Sequence, residues 1–299
     1  MQRLSLDVLI PTHNRSQMLR ECLEAILKAE SPEGLCWRVT VIDNNSSDDT
    51  RNVVESFLSR FRNRLRYLFE AQPGKSAALN LGITSSDRTL IGMIDDDELI
   101  DRQWLTVIRD TFNEADLDYI GGPYYGLWRA ERPKWLPPGY PAVLSADDPE
   151  SWPRHPKMFD EENMFLRGGN AIVRRAVFDR VGLYTHGLGK CEDHDMFNRL
   201  RGAGMRGLFV PGLIIHHIVP ADRTTRAYFR NWVWSRALSL AIMDRVAPEN
   251  VVYVGKIPRY LIGRTLRGTP RLIFGSPAEK FDAELEWRTL LGFIYSAYR

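Results

Sequence analysis

Four consecutive acidic residues that follow an apolar run constrain the fold more than any other feature. Residues 90–94 are apolar (LIGMI) and lead directly into residues 95–98 (DDDE). In a parallel sheet the carboxyl ends of the strands open into the crevice where ligands bind. Since side chains alternate along a strand, Asp95 and Asp97 are expected to point one way and Asp96 the other.

Carboxylates that share one crevice need a compensating positive charge. Two of them repel each other by about 4 kcal/mol at ~4 Å and an effective dielectric near 20. A hard divalent cation with oxygen ligands is therefore expected between them. The alternative is a solvated acidic loop that also caps the following helix.

Strand-like and helix-like segments alternate four times in roughly the first 115 residues. The predicted strands are residues 4–11, 38–42, 65–69 and 89–94, and the predicted helices are 18–27, 53–61, 74–82 and 104–112. This alternation predicts a parallel α/β sheet with helices on both faces. No Gly-x-Gly-x-x-Gly motif follows the first strand, so a standard NAD-binding domain is not indicated.

Residues 123–156 differ in character from this first part. They hold eight of the 17 prolines together with Trp128, Trp135 and Trp152, which predicts an irregular segment. Its aromatic side chains either offer flat surfaces to a ligand or pin the loop to the body of the protein. Regular structure is expected again in strands at 170–173, 208–210 and 213–218, and in helices at 175–181, after residue 193, and at 224–246.

Composition excludes several classes of protein. The net charge of +2 gives no reason to expect nucleic-acid binding. Three widely spaced cysteines predict neither a disulfide framework nor a zinc site, so reduced thiols and a cytoplasmic setting are expected. The N-terminus lacks the apolar core of a signal peptide, and no apolar run approaches the ~18 residues that span a bilayer.

The last third of the chain is basic. Residues 223–271 contain ten basic residues against Asp244 and Glu249, with interleaved aromatic residues. This pattern favours peripheral contact with an anionic membrane at the inner face of the plasma membrane. A solvated basic face and a nucleic-acid patch are the alternatives.

Six short motifs resemble, in order, those of the family 2 glycosyltransferases. They are residues 10–15 (IPTHNR), 41–46 (VIDNNS), 74–80 (GKSAALN), 95–97 (DDD), 168–170 (GGN) and 191–193 (CED). The resemblance covers about residues 4–220. It implies the GT-A fold, a nucleoside diphosphate sugar donor (UDP by family habit), a divalent metal ion and inversion at the anomeric carbon.

The resemblance implies a role for each matching residue. Asp43 would accept hydrogen bonds from uracil or ribose, and Lys75 would neutralise diphosphate charge beside a helix N-terminus. The implied nucleotide-sugar contacts are Pro11, Thr12, Asn14, Arg15, Asp43, Asn45, Lys75, Asp95 and Asp96. Contacts to the acceptor or donor sugar are expected from Gly169, Asn170 and Trp128.

Metal ligation and base catalysis are assigned in the same way. Asp97 would bind Mn²⁺ or Mg²⁺, and the resemblance implies a histidine from the pair His216–His217 to complete the shell. Adjacent strand residues face opposite ways, so only one of the two is expected to reach the ion. We expect it to be His217, which lies three residues before Pro220. An ordinary core or surface histidine is the alternative. Asp193 is the expected general base, with Glu192 as its nearest rival and helix capping as the alternative role.

The expected architecture has three parts. Residues 1–120 form a Rossmann-like nucleotide-sugar half, 121–220 an acceptor half, and 221–299 a basic helical extension. We expect an inverting transferase that builds polysaccharide or lipid-linked glycan. A sugar-nucleotide-forming nucleotidyltransferase and a non-catalytic carbohydrate- or nucleotide-binding protein are the alternatives.

Overall fold

The structure, a computed structural model, describes residues 4–136, 141–159, 164–246 and 251–299, without the side chains of residues 141 and 142. The strands are β1 Leu4–Thr12, β2 Leu35–Asp43, β3 Leu65–Phe69, β4 Leu90–Met93, β5 Glu98–Ile100, β6 Tyr119–Gly121, β7 Tyr124–Trp128, β8 Lys157–Met158, β9 Ala171–Arg174, β10 Gly207–Phe209, β11 Ile215–Val219, β12 Tyr253–Val254 and β13 Ile257–Pro258. The helices are α1 Ser16–Lys28, α2 Thr50–Phe57, α3 Lys75–Thr84, α4 Trp104–Glu114, α5 Pro141–Leu144, α6 Arg175–Val181, α7 Glu192–Gly202, α8 Arg226–Val246, α9 Arg259–Gly268, α10 Arg271–Phe274 and α11 Pro277–Ala297.

Eight strands form the main sheet in the order β3-β2-β1-β4-β9-β6-β10-β8. The first four run parallel, as predicted, and their register places Thr12 opposite Asp43 and Leu9 opposite Met93. Strand β9 is antiparallel to both β4 and β6, and β8 is antiparallel to β10. The carboxyl ends of β1, β2 and β4 therefore meet at one edge of a mixed, largely parallel sheet.

A second sheet of three strands, β5-β11-β7, lies beside that edge. Its register pairs Glu98 of β5 with His217 of β11. Strand β5 was not expected, because the sequence analysis predicted no further strand between the acidic run, which ends at Glu98, and the helix at 104–112. The pairing matters for the site, since it places His217 next to the residue that follows Asp97.

Hydrophobic packing covers both faces of the main sheet. Leu6, Val8 and Ile10 of β1 pack with residues of α1, α2 and α4, whereas Leu9 of the same strand packs with α3 and α7. This is the alternation expected of a strand that is buried on both sides. The sheet is consequently a rigid platform for the loops at its edge.

Most predicted elements of the first 120 residues are confirmed, and the differences have local causes. Strand 65–69 and helix 175–181 have the predicted bounds. Strand β4 ends at Met93, so the alternation expected for Asp95, Asp96 and Asp97 does not apply, because they lie in a turn. The segment 123–156 was predicted to be irregular, but it contains β7, which pairs with β11, and α5. Its residues 137–140 lie outside the described chain, as does Glu249 of the basic segment.

The C-terminal extension is helical, with a β12–β13 hairpin. Residues of α8, α9 and α11 share one hydrophobic cluster with Leu188 and Cys191, which precede α7. Among the described residues, the helices are each too short or too polar to cross a bilayer.

Asn170 supports the fold rather than facing a ligand. Its Oδ1 accepts a hydrogen bond from Trp104 Nε1 at 2.9 Å, and its Nδ2 donates to the carbonyl of Leu213 at 2.7 Å. The side chain is fully buried. The sequence-based expectation that it contacts a sugar is therefore not supported, because both ends of its amide are used inside the protein.

We expect Asn170→Ala to lower the free energy of unfolding by roughly 2–4 kcal/mol, because it leaves a buried indole N–H and a buried carbonyl without partners. Urea unfolding followed by circular dichroism measures the loss. Asn198→Ala on the exposed face of α7 is the control, with an expected change within about 0.5 kcal/mol. Equal urea midpoints for Asn170→Ala and the parent protein would contradict this role.

Candidate active site

A cavity of about 390 Å³ lies at the carboxyl ends of β1, β2 and β4. Seven of the residues singled out from the sequence line it: Pro11, Thr12, Arg15, Lys75, Asp95, Asp96 and Glu192. His13, Asn44 and Lys190 also line it and were not predicted. The cavity thus brings together motifs that are up to 181 positions apart, from Pro11 to Glu192.

The acidic turn after β4 closes on itself. Glu98 Oε2 accepts a hydrogen bond from the Asp95 N–H at 2.7 Å, and the Asp95 carbonyl accepts one from the Glu98 N–H at 3.1 Å. Glu98 is almost completely buried, and burial raises the pKa of its carboxyl group. This reciprocal pair fixes the backbone from which Asp96 and Asp97 project.

The three aspartates are not sorted by alternation. Arg15 Nη1 donates to Asp96 Oδ1 at 2.9 Å and to Asp97 Oδ2 at 3.1 Å, so these two neighbours share one guanidinium. Asp95 instead pairs with Lys75 at 2.6 Å. The expectation that Asp95 and Asp97 point together is wrong, because the turn rotates the side chains away from the strand pattern.

Asp96 and Asp97 respond differently to burial. Burial, together with the negative charge of Asp97, raises the pKa of Asp96 to about 6. Burial would also raise the pKa of Asp97, but His217, Arg223 and Arg15 outweigh it and hold that pKa well below its ordinary value. Asp97 is thus the carboxylate that stays ionised.

Arg223 makes the shortest contact to Asp97. Its Nη2 donates to Asp97 Oδ2 at 2.7 Å, and its side chain is only 12% exposed. It lies in a 3-10 turn, Ala221–Thr224, directly after β11. The sequence analysis placed Arg223 in the membrane-facing basic segment, which is wrong for this residue because it points into the protein.

His217 lies on the other side of the same carboxylate. Its Nε2 is 3.5 Å from Asp97 Oδ1, and its Nδ1 is buried without a hydrogen-bond partner among the described residues. His216 faces away and contacts the ring of Tyr125. Of the two histidines, the structure therefore brings the one chosen from the sequence next to Asp97.

Two loops at the sheet edge are joined by amide side chains. Asn44 Nδ2 donates to the carbonyl groups of Glu70 and Gln72, and its Oδ1 accepts from the N–H of Gly74. Asn14 Oδ1 accepts from the N–H groups of Ser47 and of Asp48. These bonds shape the rim of the cavity and explain Asn14 as a support, with no need for a ligand contact.

Asp43 ends β2 at this rim. Its Oδ1 accepts from the N–H of Ser46 and its Oδ2 from the hydroxyl of Tyr67. Each carboxylate oxygen has a further lone pair for a ligand donor. Asn45 follows in a left-handed conformation with φ of 61° and turns the chain away from β2.

Lys75 carries a positive charge into the cavity from the first position of α3. Burial disfavours that charge, but Asp95, Asp193 and Glu192 outweigh the effect and keep the pKa of Lys75 well above its ordinary value. Gly74 before it has φ of 122°, which glycine adopts without strain. Anions are favoured here by both the lysine and the helix N-terminus.

Glu192 and Asp193 occupy the first turn of α7. The helix N-cap is Cys191, without a side-chain cap hydrogen bond, so Asp193 is not the capping residue. Asp193 Oδ1 has no hydrogen-bond partner among the described residues. Burial raises the pKa of Asp193, and that of Glu192 to about 7, so both resist ionisation more than surface carboxylates do.

The double glycine before β9 fits between two of these acids. A Cβ atom on Gly168 would overlap the carboxylate of Asp193, and one on Gly169 would overlap the carboxylate of Glu98. Only glycine allows both carboxylates to lie against this backbone. Gly169 is thus explained by packing, rather than by the expected sugar contact.

Trp128 lies at the end of β7, away from the residues that line the cavity. It packs with the cluster that contains Val143 and Phe229, and the guanidinium of Arg132 lies 5.6 Å from its ring. Of the two roles that the sequence left open for this tryptophan, the structure therefore supports packing of the loop against the body of the protein.

Sequence reasoning missed Arg223, Lys190 and Glu98. Arg223 and Lys190 both lie outside the motifs, and Arg223 also belongs to the basic segment that was assigned to the membrane. Glu98 carried a usable signal, since it continues the acidic run into the apolar residues Leu99 and Ile100.

A divalent metal ion fits this site only with help from a ligand. Among the described residues no group of three or more potential protein ligands is close enough to hold a metal. Asp97 and His217 supply one carboxylate and one imidazole, a donor set suited to Mn²⁺. Mg²⁺ and related ions are commonly held by one or two carboxylates plus substrate phosphates. The residues therefore fit a metal that arrives with a diphosphate.

Comparisons with known proteins agree with this arrangement. The family model described as "Glycosyl transferase family 2" matches residues 7–182. The chain is 25% identical to glycosyltransferase AglE of Haloferax volcanii over 281 residues, covering 89% of this chain and 86% of that protein. It is 26% identical to the succinoglycan biosynthesis protein ExoM of Rhizobium meliloti over 234 residues, covering 76% and 71%.

The fold comparison gives the same result. The mannosyltransferase PcManGT from Pyrobaculum calidifontis, solved in complex with GDP-Man and Mn²⁺, superposes with a TM-score of 0.63. The sequence identity is 18%, and the match covers 98% of this chain and 87% of that one. The GT-A fold expected from the sequence is confirmed.

We expect Glu192→Gln to stabilise the protein in a pH-dependent way. Because the folded-state pKa is about 7 and the ordinary value is 4.5, the parent protein loses stability as pH rises from about 4.5 to 7. The loss reaches roughly 3 kcal/mol above pH 7. In urea unfolding at pH 8, Glu192→Gln should be more stable than the parent protein by most of this amount. At pH 5 the two proteins should differ little. Glu114→Gln, at the exposed end of α4, is the control, and equal gains at both pH values would contradict the assignment.

Proposed function

This chain belongs to glycosyl transferase family 2, and from that premise we propose that it moves a sugar from a nucleoside diphosphate donor to a hydroxyl group. It is a transferase of glycan or polysaccharide biosynthesis with the GT-A fold. We propose UDP as the nucleotide, in keeping with the sequence motifs. GDP is the second candidate, because PcManGT was solved with GDP-Man.

One observation carries the proposal: anion-binding and cation-binding groups line a single cavity side by side. Lys75, Lys190 and Arg15 line it together with Asp95 and Asp96. A diphosphate between the basic groups would gain their attraction and that of the α3 N-terminus. Asp43 would then accept hydrogen bonds from the base or ribose at the end of β2.

Asp97 and His217 would hold Mn²⁺ or Mg²⁺ together with the diphosphate oxygens. The bound ion would neutralise the leaving diphosphate as the bond to the sugar breaks. Arg15 and Arg223 both pair with the Asp97 carboxylate. When a donor brings its own metal, the two guanidinium groups are free to pair with the phosphates instead.

Asp193 is the general base in this proposal. The acceptor hydroxyl attacks the anomeric carbon from the face opposite the diphosphate, and its proton passes to an Asp193 oxygen. The bond between the sugar and the diphosphate breaks, and the diphosphate leaves with the electron pair. A single displacement of this kind inverts the anomeric centre. The unpaired Oδ1 and the raised pKa of Asp193 both suit proton acceptance.

The acceptor is proposed to be a growing polysaccharide or a lipid-linked glycan at the cytoplasmic face of the plasma membrane. Support comes from the name of ExoM, a succinoglycan biosynthesis protein, and from the basic C-terminal extension. The Glu192–Asp193 turn is the proposed contact to the sugars.

We expect Arg223→Ala to change metal and nucleotide binding in opposite directions. Loss of one cation from Asp97 should strengthen binding of Mn²⁺ alone, whereas loss of a phosphate contact should weaken UDP with Mn²⁺. Each effect should be roughly tenfold, the equivalent of ~1.4 kcal/mol. Calorimetric titration of Mn²⁺, with and without UDP and then GDP, measures both. Arg129→Ala, which removes an ion pair with Glu21 outside the cavity, is the control, and unchanged affinities in Arg223→Ala would contradict this role.

We expect Asp193→Asn to lower the transfer rate by about 10²–10⁴-fold while leaving the donor dissociation constant unchanged. In the parent protein the rate should rise with pH as the buried acids deprotonate. Release of nucleoside diphosphate from a panel of donors, with a lipid-linked glycan as acceptor, measures the reaction. A nucleotidyltransferase would release pyrophosphate, and a non-catalytic binding protein would release neither. Full transfer by Asp193→Asn would rule out the assigned base.

A further inference from the structure

Residues 251–275 are the most one-sidedly charged segment of the C-terminal extension. They contain five basic residues and no acidic one: Lys256, Arg259, Arg264, Arg267 and Arg271. The segment forms the β12–β13 hairpin, helix α9 and the short helix α10. We call α9 and α10, residues 259–274, the α9–α10 corner.

Large apolar side chains are exposed at this corner. Phe274 is 85% exposed, Ile273 68% and Leu266 57%. Tyr260 is 45% exposed and Leu272 37%. Contiguous apolar exposure on a protein surface marks a site of interaction with a protein or a membrane.

The basic side chains of α9 lie beside these apolar ones. Tyr260, Arg264 and Arg267 are spaced i, i+4, i+7 and so share one face of the helix, whereas Arg259 and Leu266, spaced i, i+7, share a neighbouring face. Arg259 and Arg267 form no ion pair with the described acidic residues, whereas Arg264 pairs with Glu286, and Arg271 with Asp282 and Glu286, all on α11. The corner thus combines unneutralised guanidinium groups with a projecting apolar tip.

We propose that the α9–α10 corner docks on an anionic lipid bilayer, with Ile273 and Phe274 inserted among the headgroups. An arginine-rich polar face next to an apolar tip matches the chemistry of such an interface. A second copy docked corner to corner would place the unpaired Arg259 and Arg267 against the same two cations, so charge complementarity favours the anionic bilayer. This assignment is narrower than the one made from the sequence, because Arg223 is held by Asp97 inside the protein and Arg230 is neutralised by Glu284.

The corner is packed against the proposed acceptor side of the site. Leu261 of α9 belongs to the hydrophobic cluster that contains Leu188 and Cys191, and Cys191 directly precedes Glu192. A bilayer beneath the corner would therefore lie on the part of the molecule that carries the proposed base. This orientation rests on the proposed function, since it presumes an acceptor anchored in the membrane; the docking itself does not.

Flotation with lipid vesicles tests the docking without any enzymatic reaction. We expect the full chain to bind vesicles of phosphatidylcholine and phosphatidylglycerol in equal amounts, and to bind phosphatidylcholine vesicles weakly. Arg267→Glu should lower the affinity by more than the roughly fivefold expected for loss of one positive charge near an anionic surface. The double variant Ile273→Asp, Phe274→Asp should not float. Added salt should weaken the flotation of the parent protein.

Leu58→Asp is the matched control, because Leu58 is 44% exposed after α2, outside the basic segment. It should float like the parent protein. Unchanged flotation of the corner variants would overturn the proposal, and so would a dimer in sedimentation that these variants dissociate. Thermal unfolding and UDP binding should be the same in every variant, so a misfolded protein would be recognised. A parent protein that floats as expected but transfers no sugar would instead count against the proposed function alone.

Discussion

A buried carboxylate stays ionised only when cations surround it, and Asp97 imposes this condition on the whole site. Arg15 reaches it from the loop after β1, Arg223 from the turn after β11, and His217 from β11 itself. Arg15 belongs to the start of the chain, whereas His217 and Arg223 belong to one segment about 200 residues later. The charge of one side chain therefore ties the nucleotide half of the fold to the start of the C-terminal extension, and exchange of these partners for a metal and a diphosphate would report the arrival of a donor.

The double glycine at residues 168–169 connects the acidic turn with the proposed base. Gly169 lies against Glu98, which holds the acidic turn, and Gly168 lies against Asp193. Asn170 then anchors the same segment to Trp104 and to the carbonyl of Leu213. Three consecutive residues thus fix the distance between the donor side and the acceptor side of the site. A shift of Glu98 would displace this tightly packed backbone and, through it, Asp193.

The parallel half of the sheet could be predicted because its information is local. Strand periodicity and helix periodicity in residues 4–112 are properties of short windows, and the motifs name Lys75, Asp97 and Asp193 directly. Strands β5 and β7 escaped prediction because each is short and is stabilised by pairing with β11, about 90 or more residues away. Arg223 escaped for a related reason, since only the tertiary structure turns it inward from a basic surface segment. Asp95 to Asp97 were misassigned because the alternation rule ends where the strand ends, at Met93.

The hydrogen bonds of Asn44 decide which side chain can anchor the loops at the rim of the cavity. Its amide donates to two carbonyl groups and accepts from the N–H of Gly74, so the position needs both hydrogen-bonding polarities at once. Aspartate has the same outline but only acceptors, and it would face the Glu70 and Gln72 carbonyls with repulsive lone pairs. Deamidation of this single side chain, a slow spontaneous chemical change, would convert one into the other. A carboxylate at this position would therefore release the loops that the amide holds together at the rim of the cavity.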